Sequence, residues 1–165
     1  MKKKTTSKKL RPSVYKKRLL KLADVLRKLP EAKFDYGSWV GNNWKGKSDL
    51  SCGTTACALG WATTIPSLRR AGLRLGEMKV NTTTPFAPYM VGTSPSWSSA
   101  REAGMEIFGL TEDEFEFLFI PGSCLNIDSD GDDFKEDYME GPSDDATAKQ
   151  VAKHIRNFVK AKFGK

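Results

Sequence analysis

Tyr15, Leu19, Leu22, Leu26 and Leu29 recur at spacings of four, three, four and three. That recurrence lays one apolar stripe along a helix. Ser13 supplies an N-cap and Pro30 a stop, while Lys16, Lys17, Lys21 and Lys28 fall off the stripe. A second apolar stretch spans residues 52–64, before Pro66. Gly53, Ala56, Cys57 and Gly60 line one side of it, and Leu59, Trp61 and Ala62 fill much of the rest. Read as a helix capped by Ser51, it is apolar nearly all round and so buried, with a small-residue face that admits a close neighbour. This segment is the expected centre of the core.

Further along, residues 73–80 alternate weakly around a Gly, and Phe86 with residues 89–91 can pair with them as a small β-ribbon. Residues 97–108 read as a helix capped by Ser96 or Ser98, with Ala100, Ala103, Ile107 and Phe108 inward and Gly109 as its stop. Thr111 and Glu114 form a capping box for a helix carrying Phe115, Leu118 and Phe119, which Pro121-Gly122 ends. Residues 123–145 read as an acidic loop. Residues 146–162 form a last helix that buries Ala148, Val151, Ile155 and Phe158 or Val159. The expected fold is mainly α: a single-domain bundle of five helices around the small-residue central helix, with a short β-hairpin. An α+β assignment is the alternative.

Composition then sets the class. With 165 residues, 39% hydrophobic and 28% charged, the chain suits one globular domain. No run approaches the roughly 20 apolar residues that would cross a bilayer. The basic N-terminus lacks the apolar run of a secretory signal, and three Cys is an odd number that favours reduced thiols. A cytoplasmic protein without a membrane partner is expected, in the host cytoplasm if phage-encoded.

Charge is unevenly divided. Residues 1–28 hold twelve Lys or Arg and one acid, Asp24, for a net +11; the rest of the chain holds fifteen bases and nineteen acids, for a net −4. Residues 1–12 therefore read as a disordered basic arm on a globular domain covering 13–165. Lys2, Lys3, Lys4, Lys8, Lys9, Arg11, Lys16, Lys17 and Arg18 are the candidate phosphate contacts. The bland reading is a solubilising tail, or one that fills a groove in an assembly. No recognition-helix code, aromatic RNA-binding motif or zinc finger is present to read bases. Trp39, Trp44, Trp61 and Trp97 offer stacking surfaces; Trp61 reads as core, and Trp44 beside Lys45 and Lys47 as exposed.

Three other constellations carry chemistry. Cys52, in the first turn of the expected central helix, would have its thiol pKa lowered by the dipole. His154, the single histidine, could act as its base with Asp49 orienting the ring. The plainer reading makes both Cys52 and Cys57 close-packing residues and His154 a packed or surface side chain. A zinc site would need Cys52, Cys57, Cys124 and His154 together, without the usual C-x2-C spacing. Asn126, Asp128, Asp130, Gly131, Asp132 and Asp137 fit positions 1, 3, 5, 6, 7 and 12 of a Ca²⁺ loop. Asn at position 1, Asp at position 12 and Asp133 at position 8 depart from that frame. A solvated acidic loop is the preferred reading, a loop that screens the basic arm is a third, and no cofactor is expected.

The run Cys52-Gly53-Thr54-Thr55-Ala56-Cys57-Ala58-Leu59-Gly60-Trp61-Ala62 follows Phe34-Asp35-Tyr36 and Trp39, and precedes Phe108-Gly109-Leu110-Thr111. In that order these residues resemble a family of small phage and bacterial proteins, over roughly residues 19–160. The resemblance implies a phage or mobile-element origin and no particular reaction. The expectation is a non-enzymatic protein whose arm binds nucleic acid, a ribonucleoprotein or a host protein complex, and which interferes with a host system. A Cys52-dependent hydrolase or transferase, and a structural component of a larger particle, are the alternatives.

Overall fold

The computed structural model describes residues 10–36, 56–78, 86–126 and 138–164, of which 124–126 and 138–139 by their backbone alone. Helix α1 spans Pro12–Arg27 and buries Leu19, Leu22, Ala23 and Leu26; Ser13 is not its cap but lies inside the first turn, because Pro12, which has no N–H to satisfy, opens the helix after Arg11. Its stripe is the one the spacing predicts. A short 3₁₀ turn, Glu31–Lys33, leads to Phe34, which forms an isolated bridge with Ala56.

The central helix is shorter than expected. Helix α2 covers only Ala58–Ala62, and all five residues are buried. Ala56 cannot join a helix running from Cys52, because its N–H donates to the Lys33 carbonyl and its own carbonyl accepts from Asp35. Cys57 is extended and stands at the N-cap. At the other end the hydroxyls of Thr63 and Thr64 donate back to the Gly60 and Trp61 carbonyls. Pro66 then opens a separate short helix, α3 (Pro66–Arg70), which brings the helices among the described residues to six.

Strands β1 (Leu73–Glu77) and β2 (Phe86–Met90) pair antiparallel with Leu73 opposite Met90 and Glu77 opposite Phe86, which is the expected ribbon. Helix α4 (Trp97–Phe108) starts at a Ser96 capping box and ends at Gly109, whose φ of +65° is left-handed. Helix α5 (Glu112–Phe119) starts at the Thr111–Glu114 box. Part of the expected acidic loop is instead a second antiparallel ribbon, β3 (Cys124–Asn126) with β4 (Tyr138–Glu140). Backbone bonds from Gly141 to Ser123 and from Gly122 to Pro142 extend this ladder at its open end.

Helix α6 (Ala148–Phe163) closes the fold along α1. Lys16 near the start of α1 reaches the carbonyl of Phe163, and Asp24 pairs with Arg156, so the two helices run antiparallel. The core lies beneath them. Phe108, Phe115 and Phe117 are fully buried there among aromatic neighbours: Phe119 stands 5.7 Å from Phe108 and 5.2 Å from Phe115, and Phe158 stands 6.2 Å from Phe117. The architecture is mainly α with short antiparallel ribbons.

Candidate nucleic-acid interface

Among the described residues, exposed cations gather on the outer side of the α1–α6 pair. Lys17 and Lys21 on α1 and Lys28 at its C-cap are exposed and share a line with Asp24, at spacings of four, three and four. On α6, Lys149, Lys153, Arg156 and Lys160 are exposed at the same spacings, and the helix contains no acid. Asp24 belongs to one line and Arg156 to the other. Their ion pair therefore sets both lines on one face of the helix pair.

Two of the basic residues singled out from sequence are occupied within the fold. Arg18 donates to the carbonyl of Ile107 at 2.7 Å, near the end of α4, and burial pulls its guanidinium below the ordinary value while Tyr15 and Glu106 oppose that shift. Lys16 donates to the carbonyl of Phe163 at 3.1 Å, at the end of α6. Lys162, also on α6, donates to the carbonyl of Gly109 at 3.3 Å. All three are cations set against the negative end of a helix, where they satisfy carbonyls the helix leaves unpaired. Arg11 and Lys17 remain exposed. Lys2, Lys3, Lys4, Lys8 and Lys9 lie outside the described residues, which begin at Leu10, whose N–H donates to the Tyr15 hydroxyl at 3.1 Å.

The α6 line is what sequence reading missed. A net charge taken over residues 29–165 hides it, because acids elsewhere outweigh it. The usable signal was local: five cations and no acid in the sixteen residues of one helix.

The other candidates are placed as follows. Cys52 and Asp49 lie outside the described residues. His154 is half-buried, with Nε2 3.1 Å from the Phe117 carbonyl and its ring 4.3 Å from the Phe117 ring. A neutral ring donating from Nε2 fits that contact, and burial lowers its pKa despite the opposing effect of the hydrogen bond. It borders an open recess of about 240 Å³ that also meets Glu140, Ser143, Gln150, Lys153 and Asn157, so Lys153 has an acid across the recess. Cys57 is buried at the start of α2, and burial pushes its thiol up to about 11, which keeps it protonated and unreactive. Asn126 of the Ca²⁺-loop frame lies in β3, opposite Tyr138, so the loop leaves from a strand and returns to one where the frame calls for helices. Asp128, Asp130, Asp132 and Asp137 lie outside the described residues. Among those described, no three of His, Cys, Asp and Glu converge as a metal site. Trp61 is core, its Nε1 donating to the Lys33 carbonyl at 3.0 Å; Trp97 is 57% exposed at the start of α4; Trp39 and Trp44 lie outside the described residues. No helix among the described residues is long and apolar enough to cross a membrane.

No known protein family, characterised protein or solved structure matches this chain.

Proposed function

We propose that this protein is a non-enzymatic nucleic-acid-binding protein, of phage or mobile-element origin, whose basic N-terminal segment contacts the phosphate backbone. The observation that carries the reading is the separation of charge. Twelve cations and one acid stand in residues 1–28, and that one acid, Asp24, is paired with Arg156. Lys17, Lys21 and Lys28 continue the basic arm along the outer side of α1, so a ligand held by the arm meets further cations where the fold begins. Contacts of this kind bind any sequence and weaken steeply with salt, by a slope of about 0.9 per phosphate neutralised. They position a nucleic acid without reading it.

The test is binding of labelled duplex DNA and RNA across a salt series. The intact chain is compared with a full-length variant in which Lys2, Lys3, Lys4, Lys8 and Lys9 are changed to Gln. Binding with a steep salt slope that flattens in the variant is expected. A chain that binds neither duplex at low salt overturns the reading and moves attention to a protein target or to Cys52.

A further inference from the structure

In the cationic line on α6, Lys160 suits the negative end of the helix and Arg156 is paired with Asp24, but neither reason covers Lys149 and Lys153. Lys149 stands in the first turn, where the positive end of the dipole disfavours a cation. Lys149 and Lys153 are a like-charged pair one turn apart, which weakens a helix. Lys17 and Lys21 repeat the arrangement on α1. A polyanion lying along these lines would relieve the repulsion that the fold maintains without one.

The geometry suits a stiff ligand. Each line spans about 17 Å at a rise of 1.5 Å per residue. Neighbouring helix axes stand about 8–10 Å apart. Six cations, Lys17, Lys21, Lys28, Lys149, Lys153 and Lys160, flank the neutral Asp24–Arg156 bridge on one face. A duplex presents one negative charge per roughly 1.7 Å of its axis, so several phosphates fall within reach of a band this long. Among the described residues, the large apolar side chains left exposed are Leu10, Val91 and Trp97, none of them in the band. The band therefore has, among the described residues, no exposed aromatic for unstacked bases and no exposed apolar wedge for a lipid surface.

We infer that the α1–α6 band is a folded phosphate-contact surface, separate from the arm, on which a nucleic-acid duplex lies by its backbone. The inference rests on the nucleic-acid reading above and extends it to residues of α6. Lys149, Lys153 and Lys160 are its distinguishing contacts, since none of them belongs to the N-terminal segment.

The experiment measures anisotropy of a labelled mixed-sequence DNA duplex, from about 50 to 200 mM salt, the range over which such contacts weaken strongly. It uses three full-length proteins: the unmodified chain, the arm variant described above, and a band variant with Lys149→Gln, Lys153→Gln and Lys160→Gln. Gln keeps the helix propensity of Lys, so circular dichroism should match the unmodified chain. The band variant should bind on the order of a hundredfold more weakly at about 0.1 M salt, with a slope reduced by nearly three. If it keeps the unmodified affinity and slope while the arm variant loses both, the band is overturned and the arm reading survives. If the unmodified chain does not bind the duplex at low salt, both fall. Equal affinity for a single strand of the same length overturns the assignment to a duplex. So does equal, band-dependent binding to phosphatidylserine vesicles.

Discussion

His154 shows how one side chain's surroundings set a measurable property. Its ring is held against Phe117 and lowered in pKa by burial, so the folded protein keeps it neutral where an unfolded chain would charge it. A depressed histidine contributes stability that is fully present above its unfolded value, near pH 6.5, and is lost as pH falls through the folded value. The urea midpoint should therefore drop between pH 7.5 and about pH 5.5, and His154→Gln should remove most of that dependence. An unchanged slope in the variant would place the titrating group elsewhere. Cys57 has the opposite sign. Its thiol is raised to about 11, so it should escape iodoacetamide in the native protein at about pH 8 and react once the chain is unfolded, as peptide mapping would show. Native labelling at Cys57 would contradict its burial. The packed reading of both residues was available from sequence, because a lone His and a small-residue Cys beside apolar positions usually pack. The fold adds the partner: Phe117 lies far from His154 along the chain, and no local pattern names it.

Elements divide by where their determining contacts lie. Helices α1, α4, α5 and α6 were legible within a residue or two because their stripes and stops are local, although the cap read at Ser13 of α1 was displaced by Pro12. The boxes at Ser96 and Thr111 and the glycine at 109 each act within one turn. Helix α2 was misjudged in length because its limit is set from outside, by the bridge between Phe34 and Ala56. Helix α3 is too short to show a period, and Pro66, which reads as the end of one helix, also begins the next. The second ribbon was hidden because strands of three residues carry almost no alternation. Gly104 gives this scale its sharpest prediction. In a free helix Gly→Ala gains up to about 1 kcal/mol. Here an added Cβ would run into the buried Phe115 ring, so Gly104→Ala should instead destabilise by about 1–3 kcal/mol in a denaturant titration. A stabilised variant would mean that α4 and α5 pack less closely than described.

At the scale of the whole molecule, cations divide into those the fold uses and those it leaves outward. Lys16, Arg18 and Lys162 close helix ends, whereas Lys17, Lys21, Lys28, Lys149, Lys153 and Lys160 surround a single ion pair on one face. The arm is proposed from sequence alone, on charges that are contiguous along residues 1–12. Sequence did not reveal the band, because only the antiparallel packing of α1 and α6 brings residues 17–28 beside 149–160. Asp24 is the acid within the band, and its exposed pair with Arg156 contributes no more than about 1 kcal/mol to stability. Asp24→Asn should therefore leave the melting temperature nearly unchanged and tighten duplex binding several-fold by freeing Arg156, as anisotropy would report. Weaker binding would mean that the pair is needed to align the two lines. The most direct test of the central claim is the slope of log affinity against log salt for the unmodified chain on a DNA duplex. With the arm and the band both engaged, a slope steeper than about −4 is predicted, at roughly 0.9 per phosphate. A shallow slope, or no binding at low salt, would contradict a backbone-binding function.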